Sequence, residues 1–292
     1  MDSVTEIFKD TIKLLIANSQ KQSTVTHENV LQLGNKVNQE IVLKLVETFL
    51  LPGSGVRGME NLKELVALSK QGKACLLLVE HYSNFDLPGL IALLRKEGAP
   101  EIADDIIAIA GFKLNEEHPL VLAFTEAFTR IVIYPSRSLA AIKDPELLAE
   151  ETQKSNRLNM AAMKELTRAK YHGNLILVFP AGTRFRPSKP ETKIGLKEID
   201  TYLKSFEYFV PIAINGNVLR IDESSSNMQM DKPTKDVLIF TAGKVQSTSE
   251  FRKAAQADCP EGEDVKQFTV NRVMSTLDLL HEETEVIRQK LL

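Results

Sequence analysis

The chain has 292 residues, 43% of them hydrophobic and 26% charged, enough to bury a core in one large domain with a small appendage. Its 36 basic and 39 acidic side chains nearly cancel, so no overall field favours a polyanion, a nucleic-acid partner is not expected, and phosphate chemistry must come from a local cluster. The two cysteines, Cys75 and Cys259, lie far apart without ligand-like spacing to histidine, which argues against a disulfide framework or a zinc or other metal site and for a reducing compartment.

The first residues, Met1-Asp2-Ser3-Val4-Thr5-Glu6, lack the positive start of a secretory signal and the Arg-rich character of a transit peptide, so a cytoplasmic chain is expected. Val4, Ile7, Phe8, Ile12, Leu15 and Ile16 recur three and four apart, and Val30, Leu33, Val37, Ile41, Leu45 and Phe49 repeat the pattern. Two amphipathic helices are predicted from this spacing. Leu-Pro-Gly-Ser-Gly at 51 to 55 breaks the second, which sets an expected boundary between an N-terminal helical region, 1–52, and a main domain, 53–292.

Beyond residue 72 the pattern changes. Short runs rich in branched apolar residues at 74–79, 106–110, 131–134, 175–179, 209–214 and 237–241 alternate with helical stretches. That alternation predicts an α/β fold with a mostly parallel central sheet flanked by helices. The most apolar stretch, Pro119 to Tyr134, is interrupted by Glu126 and Arg130, and no run approaches the ~20 apolar residues of a spanning helix. The polar stretch 215–236 reads as a mobile loop or flap, and a final helix is predicted over about 263–290.

In open α/β sheets functional groups gather at the carboxyl ends of strands, and two unusual segments fall there. The first is His81-Tyr82-Ser83-Asn84-Phe85-Asp86, between an apolar strand and a helical stretch. Histidine, with an unperturbed pKa of about 6.5, can take a proton from an alcohol and return it elsewhere. An Asp five residues on, in the first turn of the next helix, can reach the imidazole nitrogen that faces away from a substrate. Ser83 as a covalent nucleophile ranks lower, because no nucleophile elbow surrounds it. Taken alone, the pair reads more readily as a strand-end His and a helix-capping Asp.

The second segment is Phe179-Pro180-Ala181-Gly182-Thr183-Arg184-Phe185-Arg186-Pro187. Two arginines at spacing two project to one side of an extended chain, and their forked donors suit phosphate oxygens. Lys189, Lys193 and Arg137, which closes Tyr134-Pro135-Ser136-Arg137, complete a candidate anion site. For either arginine singly, an ordinary solvated charge is the better reading.

A strand-end His-x4-Asp about a hundred residues before a strand-end Phe-Pro-x-Gly-Thr-Arg resembles the glycerolipid acyltransferase family. Ala110-Gly111-Phe112-Lys113-Leu114, with Arg130 to Arg137 beyond it, looks like the family's second block, and Val210-Pro211-Ile212-Ala213-Ile214 like its fourth. The resemblance covers about 56–215. It implies that His81 is the general base, that Asp86 orients it, and that Arg184 binds the acceptor's phosphate. Ala181 stands where the family commonly has Glu. Gly182 to Pro187, with a helical region ahead of the domain, is similar to the soluble plastid-type glycerol-3-phosphate acyltransferases.

That resemblance implies transfer of a fatty acyl group from acyl-CoA or acyl carrier protein to glycerol 3-phosphate in phospholipid biosynthesis. No cofactor beyond the thioester co-substrate is implied, and peripheral membrane association stays open. Arg184, Arg186 and Arg137 would hold the phosphate, and backbone N–H groups near Ser83 to Asp86 would stabilise the tetrahedral oxygen. Lys189, Lys193 and Lys197 are candidates for docking an acidic carrier protein. Leu76, Phe85, Leu87, Phe112, Leu114 and Phe124 are candidates for the acyl groove, each also readable as core. Two other readings remain: a lysophosphatidate acyltransferase, and a non-catalytic lipid-binding module of the same fold.

Overall fold

The computed structural model describes residues 8–19, 24–115, 119–225 and 228–292. Among the described residues two compact units are interleaved along the chain: one comprises Leu43–Ile106 and Lys170–Leu292, the other Phe8–Val42 and Ile107–Ala169. Both units thus draw on residues from either side of position 52.

The larger unit is built on strands in the spatial order Leu175–Val178, Cys75–Val79, Tyr208–Asn215, Ile239–Ala242, Gly55–Arg57. Cys75–Val79 pairs in parallel with both of its neighbours, Leu78 lying opposite Val178 on one side and Pro211 on the other. All five of its residues are buried, the continuous apolar run that a parallel strand covered on both faces requires. Ile239–Ala242 runs antiparallel to Tyr208–Asn215 and parallel to Gly55–Arg57. The helix Asp86–Lys96 approaches the sheet closely at Gly89, where a Cβ would stand 2.9 Å from Leu238 Cδ2. The terminal helix Val265–Arg288 packs on Tyr208–Asn215 and begins at Asp264, whose carboxylate accepts the N–H groups of Lys266 and Gln267.

In the smaller unit, Ile106–Gly111 pairs in parallel with Arg130–Ile133, and Leu31–Gln32 adds antiparallel to the latter. Asn38, fully buried, ties this unit together by donating to the carbonyls of Leu15 and Ala123. The fold is therefore α/β, with a mixed, mostly parallel sheet and flanking helices. All six predicted strands form, within two residues of their expected limits.

The helical readings need adjustment. Of the first predicted helix, Val4 and Ile7 lie outside the described residues, and the observed helix is Lys9–Asn18. The second does not run from Val30: Leu31–Gln32 is a strand, and the helix is Lys36–Glu47. Asn35 caps it by accepting the N–H groups of Val37 and Asn38. At Gly34 a Cβ would stand 2.9 Å from the carbonyl oxygen of Ala127. Leu33 and Val37, counted in the apolar stripe, face solvent. Within 215–236, expected as a loop, Leu219–Arg220 and Lys232–Pro233 form a two-stranded antiparallel ribbon. Among the described residues no helix is long and apolar enough to cross a membrane.

Candidate active site

The strand Cys75–Val79 delivers Glu80 and His81 to the carboxyl edge of the larger unit's sheet, and the helix Asp86–Lys96 begins five residues later. His81 Nδ1 lies 2.9 Å from Asp86 Oδ2. The same carboxylate accepts the backbone N–H groups of Tyr82 and Ser83 at 2.6 and 2.9 Å and the hydroxyl of Ser83 at 3.0 Å. Four donors thus converge on one buried carboxyl group. An anionic Asp86 in turn requires the proton of neutral His81 to sit on Nδ1, which leaves Nε2 with a free lone pair.

Phe179, one residue past the end of the adjacent strand, fixes the ring plane. Its ring stacks on the imidazole with centroids 3.9 Å apart and planes 14° from parallel. Imidazole orientation is thus held at an edge by Asp86 and on a face by Phe179.

Ser83 is buried, donates its hydroxyl hydrogen bond to Asp86 and accepts the N–H of Phe85 at 3.0 Å. A hydroxyl engaged in this way supports the carboxylate and is not presented to a substrate. Most of the expected oxyanion donors are engaged locally: the N–H groups of Ser83, Phe85 and Asp86, with that of Tyr82, bond within the loop. Leu76, Phe85 and Phe112, offered as groove candidates, are core.

The Pro-Ala-Gly-Thr-Arg segment folds back onto the histidine. Gly182, at φ 60°, closes a turn with its N–H on the carbonyl of Phe179, a left-handed conformation that glycine adopts without strain. The N–H of Phe185 then donates to the carbonyl of His81 at 2.8 Å. His81, Tyr82, Ala181, Phe185, Lys193 and Met274 line a small cleft at this junction.

The two arginines of the segment differ. Arg184 is nine-tenths buried, and its guanidinium bonds to Asp231, itself buried beside the 219–233 ribbon. Burial raises the Asp231 pKa, and the charges of Arg184 and, more weakly, Arg186 oppose that rise. Arg186 is half-buried, and its backbone N–H bonds to Thr192 Oγ1. Arg137 is exposed on the short helix Ser136–Ala140 of the smaller unit. Lys193 pairs with Asp278 at 2.5 Å and Lys197 with Asp264, so two of the three lysines considered for carrier docking are neutralised by acids near or on the terminal helix.

A second carboxylate–histidine pair stands beside the first. Glu80, buried, accepts the Tyr82 hydroxyl at 2.9 Å, the Ile214 N–H at 2.7 Å and His281 Nδ1 at 3.0 Å. Burial alone would lower the pKa of His281; the bond to Glu80 and its charge outweigh that and leave it raised. Burial and the charge of Glu80 push the Tyr82 phenol far up, keeping it protonated. None of these three residues was singled out from sequence.

The model of the acyltransferase family matches residues 54–215. The chain belongs to that family. It is similar to the chloroplastic glycerol-3-phosphate acyltransferase of Arabidopsis thaliana, 29% identical over 49% of this chain and 31% of that protein. It is likewise similar to those of Pisum sativum, 31% identical over 40% of this chain and 24% of the relative, and Spinacia oleracea, 31% over 43% and 25%. The matched part of the chain thus spans a third or less of these relatives' length.

Proposed function

We propose that this acyltransferase moves a fatty acyl group from a thioester donor, acyl-CoA or acyl carrier protein, to a hydroxyl of glycerol 3-phosphate. The observation that carries the reading is the His81 Nδ1–Asp86 bond, which leaves Nε2 as the available base. The hydrogen bond from Phe185 to His81 supports it by tying the arginine-bearing segment to the same loop.

In this reading Arg186 and Arg184 engage the acceptor's phosphate through forked, charge-assisted bonds. His81 Nε2 takes the proton of the acceptor hydroxyl as its oxygen attacks the thioester carbonyl. Asp86 stabilises the imidazolium that forms. Collapse of the tetrahedral intermediate forms the ester and breaks the carbon–sulfur bond, and the imidazolium returns its proton to the departing thiolate. No acyl-enzyme forms. General-base assistance contributes about 10²- to 10⁴-fold, and positioning by the phosphate clamp adds to it.

The test is incubation of purified protein with radiolabelled glycerol 3-phosphate and acyl-CoA or acyl carrier protein, with lysophosphatidate as competing acceptor. Label entering a monoacyl product is expected with at least one donor. Acylation of lysophosphatidate alone would reassign the acceptor, and no transfer to either would overturn the catalytic reading.

A further inference from the structure

We propose that His281 is a positioning residue for the reaction centre: with Glu80 it holds the Tyr82 side chain from one side of the loop, while Asp86 holds His81 and the Tyr82 backbone from the other. The inference rests on His81 being the base. Its substance is a junction of two pairs. Tyr82 bridges two buried carboxylates, its N–H on Asp86 at 2.6 Å and its hydroxyl on Glu80 at 2.9 Å. Its hydroxyl also lies 3.3 Å from His281 Nδ1, and the two rings are 5.7 Å apart.

Glu80 precedes His81 directly, and its carboxylate also holds the hydroxyl of Tyr82, the residue that follows the imidazole, so both flanks of His81 bear on this one carboxylate. A buried carboxylate is costly unless its charge is matched and its lone pairs are used. Tyr82 and Ile214 supply neutral donors; His281, reaching in from the terminal helix, supplies the cationic one. The groups facing His281 are Glu80 and Tyr82 on the loop, Lys193, and Glu285 one turn along its own helix, while Asp278 on the same helix is paired to Lys193. The acidic neighbours favour the protonated imidazole, and Lys193 opposes it. Protonated His281 therefore completes the counter-charge of Glu80, and its deprotonation at higher pH leaves that carboxylate undercompensated beside the catalytic ring.

One limb follows for the pH dependence of kcat: transfer falls as His281 deprotonates. A displacement of 1 Å at a reacting group can cost about 10²-fold, so loss of one strut is expected to cost about tenfold in kcat with little change in acceptor KM.

The experiment compares His281→Ala, His281→Asn and Glu80→Gln with the unmodified protein. Asparagine keeps an N–H near the position of Nδ1 but does not titrate. The first readout is the downfield proton resonance of the His81–Asp86 hydrogen bond, identified by its absence in His81→Ala and independent of any substrate. It should move or broaden in His281→Ala and Glu80→Gln and be largely restored in His281→Asn. The second is the pH profile of kcat: His281→Asn should lose the alkaline fall. Should His281→Ala not fold, Glu80→Gln and His281→Asn carry both readouts. A folded Glu80→Gln or His281→Ala with an unmoved His81 resonance would overturn the proposal, as would an alkaline fall retained in His281→Asn. An unmoved resonance refutes the strut alone. Absence of transfer by the unmodified protein refutes the proposed reaction and leaves the resonance test intact.

Discussion

The N–H of Phe185 donates to the carbonyl oxygen of His81 at 2.8 Å, joining two segments about a hundred residues apart in sequence. Parallel pairing of Cys75–Val79 with Leu175–Val178 brings both segments to one edge of the sheet. The turn at Gly182 then folds the second back over the first. The acid–base group and the arginine-bearing strand end therefore share one rigid support, which is where a site gains precision.

Asp86 is expected to act through His81 rather than on substrate. Asp86→Asn keeps an acceptor for Nδ1–H but removes the anion that stabilises the imidazolium, so kcat should fall about 10²- to 10⁴-fold with acceptor KM little changed. Ser83→Ala removes only one of four donors to the carboxylate and should stay within about tenfold of the parent. Steady-state kinetics on both variants checks this; a Ser83→Ala protein as dead as Asp86→Asn would restore the serine as nucleophile.

The two arginines should separate stability from binding. Arg186→Ala should raise acceptor KM about 10- to 100-fold, the equivalent of one charge-assisted bond, and leave the melting temperature nearly unchanged. Arg184→Ala strands Asp231 in a buried site and should cost about 3–5 kcal/mol of stability. Arg184→Ala with Asp231→Asn should recover most of that stability without recovering acceptor affinity. Urea denaturation and acceptor titrations of the three proteins give the answer.

The His281–Glu80 pair also makes a prediction for stability. The folded-state pKa of His281 is raised above an unfolded value of about 6.5. The pair's contribution is therefore full below that value and is lost as pH climbs through the folded one. The stability difference between the parent and His281→Asn should be largest below about pH 6.5 and shrink above it. A difference that grows with pH would contradict this sign.

The strands were legible because each is a short, nearly unbroken apolar run between polar helical stretches, and burial on both faces is what such a run records. The His81–Asp86 pair was legible because a strand, a turn and a first helical turn give a short, nearly fixed separation. Its orientation against Phe179 follows from strand pairing and was not. The helix expected from Val30 failed because apolar spacing alone cannot register Gly34 at a close backbone approach or Asn35 as a cap. Asp231 and His281 carried no signal: each contacts its partner across a long sequence separation, and a lone His among the charges of the terminal helix reads as a solvent-facing residue until the sheet places Glu80 opposite it. The spent N–H groups around Asp86 were equally invisible, since a helix start looks like a free anion site until its own capping bonds are known.

Transfer of label from glycerol 3-phosphate into lipid by His81→Ala, set beside the parent protein at equal folded concentration, tests the central claim most directly. The proposed mechanism predicts loss of transfer by at least about 10²-fold with circular dichroism and melting temperature close to the parent. A folded His81→Ala protein that retains most of its activity would contradict it.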